Sequence, residues 1–300
     1  MKLKYTILFF LVIQSAMAQR FPKVEKVTTL TDTIDAGSGG MEVDRLGNIY
    51  MSNFGKILNQ AGGKEVFKIS PIGEVSVFTD QINGASGSDI GPDGRFYQSN
   101  ISGNKISVID ADGSVTDYTS EGIYSPVGLV KAPEALFVAN CGSGTIQKID
   151  SEMNSTVFAK SDLLKCPNGL EMDPGGNLYA ANFANGDIIK IDPRGNVSVF
   201  ATLPGSNNGH LVFYRGILFV VARKAHQIWA IDMEGNKMLM AGSGEAGNKD
   251  GDADESTFHF PNDLAFSPDH NLLYVNDVVG KNDDHRNIGP VVIRVLHLKW

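Results

Sequence analysis

Hydrophobic and polar positions alternate along this chain in short runs, and one such phrase returns six times. Each copy has a Gly-containing lead-in, a turn with Gly or Asn, an aromatic, and then Asn or Asp three residues later. The copies read GNIYMSN at 47–53, GRFYQSN at 94–100, EALFVAN at 134–140, GNLYAAN at 176–182, GILFVVA at 216–222 and NLLYVND at 271–277. Their aromatics, Tyr50, Tyr97, Phe137, Tyr179, Phe219 and Tyr274, are 47, 40, 42, 40 and 55 residues apart. Only the fifth copy, ending at Ala222, lacks the Asn or Asp.

A second pair of alternating runs follows each phrase, such as KISVID with GSVTDY and IIKID with GNVSVF, and Asp-Gly, Arg-Gly or Glu-Gly turns separate most pairs. Period-two alternation of β-branched and aromatic residues between turn residues predicts strands. Each unit therefore supplies four short antiparallel strands, a to d, and no segment keeps a helical period. Four strands every ~40 residues predict an all-β fold, a six-bladed β-propeller, whose radial arrangement leaves only short sheet edges. The last unit offers three strands, LAFS, LLYVND and VVIRVLHL, while VEKVTTLT near the N-terminus resembles an outer d-strand. The N-terminal segment is expected to complete the last blade and close the ring.

Composition refines this picture at the ends of the chain. Lys2 and Lys4 precede an apolar run at 5–13, followed by Ala16-Met17-Ala18. That is the layout of a cleaved signal peptide, and the run is far shorter than the ~20 residues that span a bilayer. Residues 1–18 are thus expected to be removed, leaving one propeller domain at 19–300 that begins at Gln19, has no membrane span and is secreted or periplasmic. Net charge is −8. Without a basic tract, nucleic acid is a poor partner for such a chain. Cys141 and Cys166 lack the spacing of a zinc or redox motif, which leaves a disulfide or two buried thiols.

The phrases do not match Trp-Asp repeats, because neither Trp229 nor Trp300 precedes Asp. They resemble the SMP-30/gluconolactonase-like and NHL-repeat group of propellers. PNGLEMDPGGNLYAANFANGDIIKID at 167–192 is similar to a consensus unit of that group, and the stretch at 241–277, with its AGSGEAG lead-in, is similar to an NHL unit. The resemblance implies the propeller fold. For activity it spans lactonases, other hydrolases and binding scaffolds.

In a propeller the first residues of strand a meet any ligand at the mouth of the central channel. Counting back from each aromatic places Gly39, Ser86, Val127, Asn168, Asn208 and the pair Asn262-Asp263 there. Calcium takes six to eight oxygen ligands, and Asn168, Asn208, Asn262 and Asp263 could supply some of them. Members of the resembled group hold calcium through Glu, Asn and Asp. Asn168 and Asn208 match the Asn-Gly form of those ligands and Asp263 matches the Asp, while Ser38-Gly39-Gly40 stands where the Glu belongs and Glu42 comes two or three residues late. The same Asn-Gly pairs also suit a tight turn into strand a.

His210, two residues beyond Asn208, has the pKa range of a general base and otherwise reads as a packed histidine. Arg223 and His226 break the fifth unit's pattern in a b–c loop on the mouth face, where they would contact substrate together with Ser86, or simply lie in a solvated loop. Asn53, Asn100, Asn140, Asn182 and Asp277 recur as anchors, expected to accept N–H groups of the b–c loops. The polar loop at 281–289 is long enough to lie over the channel. Asp250, Asp252 and Asp254 alternate like an EF-hand start, but Glu255 and Pro261 occupy its Gly and Glu positions. GxSxG, HExxH and P-loop motifs do not occur.

Two functions fit these residues. One is hydrolysis of a small-molecule substrate, a sugar lactone or small ester, with a divalent ion polarising the carbonyl and Asp263 or His210 activating water. The other is a non-catalytic propeller that binds a glycan, peptide or protein partner.

Overall fold

The computed structural model describes residues 21–58, 60–281 and 284–300. The expected signal segment lies outside them. The described chain forms six sheets of four antiparallel strands. Strands a to d of the first blade are Ser38–Val43, Ile49–Asn53, Val66–Ile69 and Val75–Thr79, and the second blade runs Ala85–Ile90, Phe96–Asn100, Lys105–Ile109 and Val115–Thr119. The third runs Pro126–Ala132, Ala135–Asn140, Thr145–Asp150 and Ser155–Lys160, and the fourth Pro167–Met172, Leu178–Asn182, Asp187–Ile191 and Val197–Thr202. The fifth is Leu211–Tyr214, Ile217–Ala222, Gln227–Asp232 and Lys237–Ala241. The sixth takes Leu264–Phe266, Leu272–Val278 and Val291–Lys299, and its outer strand is Lys23–Thr29 from the other end of the chain. Neighbouring a-strands touch one another around the whole circle, which makes the assembly a closed six-bladed β-propeller.

Each recurring residue type has a physical task. The phrase aromatic sits in strand b and packs edge-to-face on a d-strand ring: Tyr50 on Phe78, Tyr97 on Tyr118, Phe137 on Phe158 and Tyr179 on Phe200, at 4.9–5.3 Å between centroids. Such pairs add to the burial of apolar area that joins the strands. Four of the a–b turns close on an aspartate, as where Asp44 Oδ1 accepts the N–H groups of Leu46 and Asn48.

The recurring Asn or Asp binds a different loop from the one expected. Asn100 Oδ1 accepts the N–H of Asn83, Asn140 Oδ1 that of Tyr124, Asn182 Oδ1 that of Lys165, and Asp277 Oδ1 that of His259. These N–H groups belong to the segment that leads from strand d of one blade into strand a of the next. Among the described residues, Asn53 alone also holds its own b–c loop, through Gly55 N–H. The residue after each pinned N–H, namely Gly84, Ser125, Cys166 and Phe260, has positive φ. The anchor thus holds a left-handed kink that turns the chain into the channel mouth.

The long sixth spacing is held from within. Arg294 is fully buried and its guanidinium bonds Asp277 at 3.2 Å, Asp250 at 3.0 Å and the carbonyls of Thr257 and Lys249. Asp250 also accepts from the N–H and hydroxyl of Thr29, which ties the closing strand to the same network.

Candidate functional site

The b–c loops and the starts of the a-strands build a cup of about 400 Å³ at one mouth of the channel. Its wall follows the repeat: the residue after each phrase's final position faces inward in five blades, giving Phe54, Ile101, Cys141, Phe183 and Arg223. Four of these are apolar and one is a cation. The sulfur of Cys141 is bonded to that of Cys166, which lines the cup as well. Residues 285–288, in the loop after strand b of the sixth blade, border this mouth. There Leu58 N–H donates to the Arg286 carbonyl, Ile288 N–H donates to the Lys56 carbonyl, and Ile288 enters the cup.

Ser38, Ser86, Val127, Asn168, His210 and Asn262 form the floor. Three of these side chains are engaged with backbone, whereas Ser38 Oγ has no hydrogen-bond partner among the described residues. Ser86 Oγ donates to the Pro126 carbonyl at 2.8 Å, Asn168 Nδ2 to the Asn208 carbonyl at 3.0 Å, and Asn262 Nδ2 to the Gly39 carbonyl at 3.2 Å. Beneath this layer the blades approach closely. A Cβ at Gly40, Gly87, Gly128 or Gly169 would collide with backbone of the next blade, at Ser86, Val127, Asn168 and His210 respectively. The fifth and sixth blades carry His210 and Asp263 at this level instead. His210 Nδ1 lies 3.4 Å from Asp263 Oδ2, and the Asp263 carboxylate also accepts from Met41 N–H at 2.8 Å and Leu264 N–H at 2.6 Å. Burial pushes the His210 imidazole down to about 4 and holds the Asp263 carboxyl well above the usual carboxylate range. Both therefore favour the neutral form.

Below this level a second cavity holds Glu42, Asp89, Glu171 and Asp263. Glu42, Asp89 and Glu171 pair in register with Tyr50, Tyr97 and Tyr179. Desolvation by burial raises Asp89 to about 6 and Glu171 to about 8, and it raises Glu42 with help from its acidic neighbours. Sequence reasoning named Glu42 and Asp263 but missed Asp89 and Glu171 and the grouping of all four. The available signal was a carboxylate inside an otherwise apolar innermost strand, as in MEV, SDI and LEM.

The expected site residues are only partly brought together. Asn168, Asn262, His210, Ser86 and Arg223 border the cup. Asp263 turns to the lower cavity, and Asn208 is wholly buried, with neither side-chain atom bonded. His226 does not line the cup. It ends the short 3-10 turn Arg223–Ala225 in a left-handed conformation and accepts the Phe260 N–H at Nδ1. The set expected for calcium therefore does not fit one: its carboxylate is spent on two backbone donors on the far side of the floor, and one of its amides is sealed from the cup. Among the described residues no cluster of three or more His, Cys, Asp or Glu side chains is arranged to hold a metal ion.

A family model, the SMP-30/Gluconolactonase/LRE-like region, matches residues 9–224. The chain belongs to the SMP-30/gluconolactonase/LRE-like family. No curated protein matches it in sequence. Among solved structures, this SMP-30/gluconolactonase/LRE-like propeller is similar to a gluconolactonase from Xanthomonas campestris at 17% identity and a TM-score of 0.70, covering 93% of this chain and 95% of that one. It is similar to virginiamycin B lyase from Staphylococcus aureus at 15% identity and a TM-score of 0.58, covering 87% of each. It is also similar to an auxiliary nutrient binding protein from Bacteroides thetaiotaomicron at 12% identity and a TM-score of 0.72, covering 93% of this chain and 78% of that one. At such identities the likeness shows the fold alone, and these three propellers carry three different functions.

Proposed function

We propose that the cup is a small-molecule site where a lactone or small ester is hydrolysed, with His210 as the proton-accepting group. The observation that carries this reading is the placement of His210, a titratable side chain on the cup floor backed by the Asp263 carboxyl at 3.4 Å. Water attacks the carbonyl carbon and its proton passes to the free imidazole nitrogen. The tetrahedral centre then collapses, the ring or ester C–O bond breaks, and the leaving oxygen takes that proton back. Asp263, fixed by Met41 and Leu264, orients the ring. The imidazole, lowered to about 4 by burial, remains unprotonated across neutral pH. No step is assigned to a metal, because the oxygen donors do not form a cage.

A screen of aldonolactones, simple aliphatic lactones and aryl esters tests the reading, run with chelator and with added calcium. Turnover is expected to be indifferent to both, and His210→Gln, which keeps most of the side chain's bulk, should lower kcat/KM by about 10²–10⁴-fold. Activity lost to chelator and restored by calcium would refute the metal-free assignment. The second reading, a binding propeller, is favoured by the floor amides being already committed to backbone carbonyls. It prevails if no lactone or ester is turned over.

A further inference from the structure

The fifth blade departs from the repeat twice, at adjacent positions. Ala222 replaces the anchoring Asn, and Arg223 replaces the apolar wall residue that follows it. Without the anchor the chain turns directly into the 3-10 segment Arg223–Ala225, and the arginine is carried into the cup wall.

Its surroundings suit a cation that awaits a partner. Arg223 is 1% exposed, yet no carboxylate among the described residues reaches it. Nη2 donates to the His285 carbonyl at 3.1 Å, while Nη1 has no partner. The guanidinium lies over the Phe260 ring at 5.0 Å and the Phe183 ring at 6.0 Å. Phe260 holds its place with φ of 51°, a conformation that bulky residues adopt at a cost. Arg294 shows what this fold does with a structural arginine, pairing both Nη atoms with two aspartates and two carbonyls and leaving only Nε without a partner among the described residues. A buried guanidinium that stays charged and unpaired is destabilising unless something else supplies the anion.

We propose that Arg223 pairs with a carboxylate carried by the cup's ligand, so that the natural ligand is a small organic acid with an apolar body. A carboxylate is favoured over a phosphate monoester because one cation with one free nitrogen matches a single negative charge. The apolar body follows from Phe54, Ile101 and Phe183 in the wall. Nη1 is covered in the free protein, so pairing turns the guanidinium toward the cup and gives up its bond to the His285 carbonyl. The inference rests on the cup being the ligand site, but not on hydrolysis.

Calorimetric titration with benzoate and octanoate, set against benzamide, octanamide and phenyl phosphate, tests it on the intact mature protein. The carboxylates should bind at least ten-fold more tightly than the amides and the phosphate. Arg223→Gln should abolish that preference, and Arg223→Lys should keep part of it. In the absence of ligand, Arg223→Gln and Arg223→Met should melt at or above the parent's Tm, because they remove an unpaired charge. Amides binding as well as carboxylates, no carboxylate binding at millimolar concentration, or both variants melting well below the parent would each overturn the proposal. If carboxylates bind while nothing is hydrolysed, the catalytic reading fails and this one stands. If neutral lactones turn over as fast as acidic ones, the reverse holds.

Discussion

Glu171 is raised to about 8 by burial, whereas a glutamate in an unfolded chain releases its proton near pH ~4.3. Between those values the folded protein binds more protons than the unfolded one, so its stability falls as pH rises through this window. Asp89, raised to about 6, and Asp277, raised to about 7, act in the same direction, both through burial. His210 acts the other way: with its pKa lowered to about 4, its contribution is present above pH ~6.5 and is lost as pH falls toward 4. Three carboxyls outweigh one imidazole, and Tm is expected to peak on the acid side of neutrality and decline toward pH 8. Glu171→Gln keeps an acceptor for Met172 N–H and removes the charge. It should raise Tm at pH 8 by on the order of 2–4 °C and change it little at pH 5. Equal loss of Tm at both pH values in scanning calorimetry would show that the carboxyl is needed for something other than its proton.

The bridge between Cys141 and Cys166 joins the b–c loop of the third blade to the left-handed kink that enters the fourth. It closes a loop of 25 residues and in the chain-entropy model contributes roughly 3 kcal/mol. Thiol titration of denatured, unreduced protein from an oxidising compartment should find no free thiols, and the double Cys→Ser variant should melt several °C lower. Two free thiols there would refute the bond. Elements of this kind were readable from the repeat, because aromatic and Asn positions recur with fixed spacing and each answers a local demand. The cup wall was present in the same phrases, one residue further on, but reading each phrase to its Asn stopped short of Phe54, Ile101 and Phe183. Direction was the other obstacle. Strand alternation sends Asp263 below the floor and leaves Asn262 above it, a difference that a count of positions does not reveal. His226 was misjudged because a three-residue turn, invisible in an alternating pattern, rotates it away from the mouth.

Across the whole molecule the ring closes through one antiparallel pairing, in which Val24 faces Leu298 and Val27 faces Leu296, all four side chains being buried in the sixth blade's core. Deleting residues 23–30 should bare the edge of Val291–Lys299, lowering Tm by several °C and promoting aggregation. A truncated protein that melts and stays dispersed like the parent would show that the pairing contributes little. The same pairing sets an order of events during synthesis. Lys23 leaves the ribosome long before Lys299, so five blades have all their strands while the sixth still lacks one, and the first strand must wait unpaired until its partner is made. The nascent protein is therefore an open arc with a sticky end at each side, and arrival of the Val291–Lys299 strand is the moment at which it becomes safe from its neighbours.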